Sequence, residues 1–115
     1  MQIRHIDTGV RMSQAVVANG FVFLAGQVAG DPTKDVGDQT RQVLAAIDRL
    51  LAEAGSDKSK IVSANVYLAD MKDFGAMNAE WDKWVHPQGK PARATIQAPL
   101  ATPQYRVEIQ AVAVL

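Results

Sequence analysis

Residues 107–114 read Val107-Glu108-Ile109-Gln110-Ala111-Val112-Ala113-Val114. Strict alternation places Val107, Ile109, Ala111 and Ala113 on one face of a strand and Glu108, Gln110, Val112 and Val114 on the other. The first face belongs against a core. The second is half polar and half apolar, and Val112 and Val114 make it too apolar for a plain solvent surface. A sheet containing this strand therefore carries helices on one side and something other than bulk water on the other. Further copies of the chain in a symmetric oligomer are the simplest cover.

Working outward, residues 92–98 and 105–114 predict two strands separated by the Pro99–Pro103 turn. In the first, Ala92, Ala94, Ile96 and Ala98 are expected on a buried face, with Arg93 and Thr95 on the other. Residues 61–68 predict another strand, with Val62, Ala64, Val66 and Leu68 sharing a face. Two stretches change period. Val43, Leu44, Ile47, Leu50, Leu51 and Ala54 form a stripe at helical spacing, so 38–54 is a helix, with Asp38 as N-cap and Gly55 as the residue that ends it. Residues 73–85 are a second helix with the stripe Phe74, Met77, Trp81, Trp84 and Val85. Near the start, 3–6 and 15–18 are short strands. Asn19-Gly20 signals a tight hairpin, and 21–25 reads as a strand buried on both faces. Each helix brings only one apolar stripe, so both are expected on the same side of a six-stranded, mostly antiparallel sheet. The class is α+β, in a single domain spanning 1–115.

Composition removes several kinds of function. Twelve Lys and Arg balance twelve Asp and Glu, giving formal charge zero. That argues against a broad electrostatic footprint for nucleic acid or an anionic membrane. There is no cysteine, which excludes disulfides, thiolate catalysis and cysteine-based zinc sites. The two histidines, His5 and His86, have no metal-binding spacing, so no metal is expected. No run of about 18 apolar residues spans a bilayer. Charges at residues 4–7 fall where a secretion signal needs its apolar stretch, so the expected compartment is cytoplasmic.

Arg93 is the residue that asks for chemistry. A cation among small apolar neighbours needs an anion. It is either paired with Glu80 or Glu108 of its own chain, or its planar fork awaits a ligand's carboxylate. Glu108 is either an ion-pair partner for Arg93 or Arg106, or a carboxylate that holds a water. Asn78 lies beside the apolar stripe of the second helix. Ser13 has no nucleophile-elbow context, and Gly20, Gly26 and Gly30 open no helix, so neither a serine triad nor a phosphate loop is expected.

Several blocks resemble the RidA (YjgF-type) family, in family order. They are Ser13-Gln14-Ala15-Val16, Leu24-Ala25-Gly26-Gln27-Val28, Asp38-Gln39-Thr40-Arg41-Gln42, Asp73-Phe74, Met77-Asn78-Ala79, Pro91-Ala92-Arg93-Ala94-Thr95 and the strand 107–114. The resemblance implies a chorismate-mutase-like fold and a homotrimer whose sheets form a central barrel, with clefts between neighbouring subunits. It implies an enamine/imine deaminase that converts small 2-imino acids to 2-oxo acids and ammonia, with no cofactor. Arg93 then matches the arginine that holds the substrate carboxylate, and Glu108 the residue that positions water. Asn78, Gly26 and Thr95 match pocket residues.

The sequence departs from the family pattern at Met12, where many members carry a tyrosine that lines the pocket, at Ala25, where a serine is frequent, and at Gln110, where a second glutamate is common. These changes make the pocket less polar near the imine. They leave a second reading, a non-catalytic trimer that binds small carboxylates or acts through protein interaction.

Overall fold

The Asn19-Gly20 dipeptide makes its hairpin. In the computed structural model, which describes residues 1–115, the two residues have φ of 52° and 80°, the pair of positive values that a type I′ turn requires. The turn joins β2 (Ser13–Ala18) to β3 (Phe21–Leu24), and β1 (Ile3–Thr8) precedes them. Then follow α1 (Val36–Ala54), β4 (Ile61–Leu68), α2 (Phe74–Trp84), β5 (Ala92–Gln97) and β6 (Val107–Val114). The six strands form one sheet in the order β1-β2-β3-β6-β4-β5. Only β4 and β5 run parallel. That pair needs a crossover, and α2 supplies it. The last strand closes the middle of the sheet, between β3 and β4.

Both helices lie on one face. Val43, Leu44, Ile47, Leu50 and Leu51 of α1 and Met77 and Trp81 of α2 share a continuous core with Ala15, Val17, Val22, Leu24, Ala64, Val66, Leu68, Val107, Ile109, Ala111 and Ala113. Gly55 ends α1 at φ 88°, its N–H donating back to Ala52. The helix starts earlier than the stripe suggests. Asp35, not Asp38, is the cap, and its carboxylate accepts from the Asp38 N–H at 2.9 Å. Asp38 instead sits in the first turn, where an acidic side chain favours the positive end of the helix dipole. No helix is long and apolar enough to cross a membrane.

Three further expectations are corrected. β3 is buried on one face only, since Val22 and Leu24 are in the core while Phe21 and Phe23 remain 40% and 44% exposed. In β4 the pairing with β6 slips between Ile61 and Ser63. This bulge turns Ile61 inward and leaves Val62 exposed, because one extra residue reverses the alternation. Phe74 opens α2 but stays 40% exposed, outside the buried stripe.

The largest correction concerns β5. Ala92, Ala94 and Ile96 lie on the face away from the helices and are exposed in the single chain. Arg93 and Thr95 pair with Ala64 and Val66, so they share the helix-covered face. Alternation identified the two faces correctly, but it could not say which of them the helices cover.

The face away from the helices carries Val16 of β2, Phe21 and Phe23 of β3, Ser63, Asn65 and Tyr67 of β4, Ala94 and Ile96 of β5, and Glu108, Gln110, Val112 and Val114 of β6. It is the mixed surface that residues 107–114 anticipate. Phe21 and Phe23 lie with ring centroids 6.1 Å apart, and Ile96 is 51% exposed.

The loop after α2 is fixed by close backbone approach. A Cβ on Gly89 would come within 2.6 Å of the Ser59 carbonyl oxygen and 2.9 Å of its Cα. Main chain cannot swing aside as a side-chain tip can. Gly89→Ala is expected to cost about 1–3 kcal/mol of stability, read as a lowered midpoint in urea unfolding.

Candidate functional site

Arg93 extends from β5 toward α2. Its guanidinium carbon stands 4.9 Å from the Trp81 ring centroid, and Nη1 is 4.0 Å from the Met77 sulfur. Met77 and Trp81 are four residues apart, which puts both on the same side of the helix. An aromatic face favours a cation, and a guanidinium stacks on it well. Burial pulls the Arg93 pKa below the ordinary arginine value, with Asp82 pulling the other way. The group remains a cation at neutral pH.

No carboxylate of the chain comes within ion-pair distance of Arg93; Asp82, across the same cavity, acts on it only at longer range. Glu80 is engaged by Arg41 at 3.0 Å and Lys83 at 3.5 Å. Arg106 pairs with Asp73. Glu108 pairs in register with Tyr67, three residues along β4 from the partner of Arg93, so it occupies the opposite face of the sheet. The ion pairs weighed from sequence for Arg93 therefore do not form. The Arg93 side chain opens into a cavity of about 410 Å³ lined by Asn78, Trp81, Asp82, Val85, Lys90, Pro91 and Arg93. Thr95, next on the same face, has a buried hydroxyl with no hydrogen-bond partner.

A second group gathers on the other face. Gly26 lies directly against Glu108, where an added Cβ would sit 2.2 Å from the carboxylate oxygen Oε2. The main chain on either side is held in place: Gln27 and Ile109 exchange two backbone hydrogen bonds, at 2.8 and 3.1 Å, and the Ala25 N–H donates to the Gln14 carbonyl at 2.9 Å. Met12, 48% exposed, precedes β2 at this same end. Gln110 donates to the Leu24 carbonyl at 3.2 Å. Of the residues selected from sequence, Arg93, Asn78 and Thr95 thus lie on the helix side of the sheet, whereas Gly26 and Glu108 meet on the other face, with Met12 just before β2. One chain does not bring the two groups together. No cluster of histidine, aspartate or glutamate that could hold a metal is present.

Trp81 and Met77, the bed under Arg93, escaped the sequence reading because their helical spacing describes core residues equally well. The available clue was the pairing of a large aromatic stripe with a strand whose only cation faces it.

A family model described as endoribonuclease L-PSP matches residues 2–115. A RutC family protein of Haemophilus ducreyi is 49% identical, over 93% of this chain and 92% of its own length. The chain belongs to the YjgF/RidA (RutC) family. The RutC family protein YoaB of Escherichia coli is 43% identical over 98% of both chains. Among solved structures, a YjgF-family member from Neisseria meningitidis superposes with a TM-score of 0.96 at 49% identity, covering 99% of this chain and 95% of that one. The YjgF/RidA fold, a six-stranded mixed sheet with two helices on one face, is therefore that of this chain.

Proposed function

We propose that the chain is an enamine/imine deaminase acting on 2-imino acids, assembled as a homotrimer whose clefts lie between neighbouring subunits. The observation that carries this reading is Arg93: a half-buried guanidinium, seated on Trp81, at a cavity, in ion-pair contact with no carboxylate of its own chain, the nearby Asp82 acting only at longer range. A ligand carboxylate supplies the missing anion through two charge-assisted hydrogen bonds. The Glu108 half-site of an adjacent copy supplies the second group.

The chemistry asks little more. With its carboxylate on Arg93, the 2-iminium acid presents C2 as an electrophile. Glu108 orients a water and takes its proton as oxygen bonds to C2. The resulting carbinolamine receives that proton on nitrogen; as the C–N bond breaks, its hydroxyl gives its own proton to the Glu108 carboxylate, and the 2-oxo acid and ammonia leave. Orientation of the two reactants supplies much of the rate enhancement. The face with exposed Phe21, Phe23 and Ile96 and partly buried Val112 supports the assembly, since a packed trimer interface would bury it. The family's description also names an endoribonuclease, but zero formal charge gives RNA phosphates little to hold.

The reading is tested by generating 2-iminopropionate with an amino-acid oxidase and trapping it with semicarbazide. Added protein is expected to lower the yield of semicarbazone by consuming imine first. An unchanged yield at high protein concentration would remove this imine from the substrate range, and pyruvate binding without turnover would favour a carboxylate-binding protein.

Gly26 provides a sharper probe of the Glu108 side. A Gly26→Ala methyl displaces only the flexible end of Glu108, so the fold should be kept, with a Tm within a few degrees of wild type. The carboxylate must swing away from its water, and turnover is expected to fall about 10²-fold. Steady-state kinetics beside a melting curve checks both halves of the expectation.

A further inference from the structure

Asp73 stands where α2 needs a cap, yet its side chain caps nothing. Both of its oxygens are taken by Arg106: Nε donates to Oδ2 at 3.0 Å and Nη2 to Oδ1 at 2.8 Å. Asp73 is only 6% exposed. A buried carboxylate held by a planar two-pronged donor is fixed in angle as well as distance. The Arg106 backbone is pinned too. Its N–H donates to Oε1 of Gln39 at 2.9 Å, and its carbonyl accepts from the Ala69 N–H at 3.1 Å. Gln39 is fully buried and turns its amide nitrogen toward the carbonyls of Pro32, Lys34 and Gln104.

Helical spacing ties this brace to the carboxylate pocket. Asp73, Met77 and Trp81 are each four residues apart, on one side of α2. The last two are the bed under Arg93. Arg106 comes two residues before Glu108, at the start of β6. One ion pair therefore joins the head of the helix that supports Arg93 to the head of the strand that carries Glu108.

We propose that Asp73 and Arg106 are positioning residues of the site: their pair sets the rotation and height of α2 against β6, and so keeps Trp81 and Met77 beneath the Arg93 guanidinium. The consequence for ligand binding rests on the carboxylate-site reading above, whereas the consequence for the Arg93 perch does not.

The experiment compares wild type with Arg106→Met, which keeps the aliphatic stem but loses the fork, and Arg106→Lys, which keeps the charge with a single-point donor. Arginine Nε–H resonances are followed by ¹⁵N NMR. The ring current of Trp81 sets the Arg93 signal apart, and Trp81→Leu provides the unshifted reference. Pyruvate is titrated as the carboxylate probe. In Arg106→Met the Arg93 signal is expected to move to the unshifted position and pyruvate affinity to fall about 10-fold or more. Arg106→Lys should restore part of both. A folded Arg106→Met with the wild-type Arg93 signal overturns the proposal. If that variant does not fold, Arg106→Lys decides alone, and a wild-type Arg93 signal there overturns it equally. If wild type binds no pyruvate, the carboxylate-site reading fails while the resonance still decides the positioning role.

Discussion

Replacing Arg93 with alanine is expected to lower kcat/KM for a 2-imino acid by roughly 30- to 5,000-fold, because truncating one partner of a desolvated, hydrogen-bonded charge pair costs about 2–5 kcal/mol. The loss should come with almost no change in stability. Arg93 makes no ion pair within its chain, and its contact with Trp81 is worth about 0.5–1 kcal/mol at a partly exposed site. That combination separates a ligand-binding arginine from a structural one, whose removal would lower the melting temperature first. Arg93→Lys should fall between. It keeps the charge and loses both the planar fork and the stacking. Kinetics and thermal melts of the two variants, side by side, check the expectation. A drop of many degrees in Tm with the loss of activity would mark Arg93 as part of the scaffold.

The second large effect concerns the sheet face opposite the helices. Phe23→Asp is expected to turn the proposed trimer into single chains without unfolding them. Phe23 is 44% exposed in the isolated chain and faces away from the core that Val22 and Leu24 enter. Its loss therefore costs the monomer little. In a trimer the same position would be buried once per subunit, and each buried Phe is worth about 1.5–3 kcal/mol. An aspartate in its place would also carry an unpaired charge into the interface. Sedimentation equilibrium should show one chain in place of three, with the helical circular dichroism intact. Activity should vanish with the trimer. A variant that stays trimeric would show that this face is not the interface.

Much of the fold was legible because periodicity carries it. The stripe from Val43 to Leu51 specifies α1, Gly55 its end, and Asn19-Gly20 the hairpin. The alternation of 107–114 gives both the core face and the unexplained one. The failures share one physical cause. Side-chain alternation is a local property, while the element covering each face depends on tertiary packing. The small residues Ala92 and Ala94 look like core, but they lie on the uncovered face of β5, and Arg93 lies under the helix. The same limit hid Val62, because a bulge changes the alternation without a sequence marker. Asp35 displaced Asp38 as cap because the helix begins before its apolar stripe.

The candidate site was read from the sequence as a set of residues and not as an arrangement. Arg93, Glu108, Asn78, Gly26, Thr95 and Met12 were selected by type and resemblance. Their separation into two groups follows from strand register, which places Arg93 beside Ala64 and Glu108 beside Tyr67 on opposite faces. The Asp73–Arg106 pair and buried Gln39 left only a faint trace. Gln39 falls four residues before Val43 on the α1 stripe, where a polar residue signals a buried network.

The division into half-sites has a direct test by subunit mixing. Arg93→Ala and Glu108→Gln proteins, each expected to be inactive, are unfolded together in equal amounts and refolded. In a cyclic trimer with Arg93 from one subunit and Glu108 from its neighbour, every mixed ring has one intact cleft. Random assembly then restores about one quarter of wild-type activity. Recovery near that level, absent when either variant is refolded alone, is the predicted result. A mixture no more active than its parents would mean that Arg93 and Glu108 of one chain must act together, contradicting a site shared between copies.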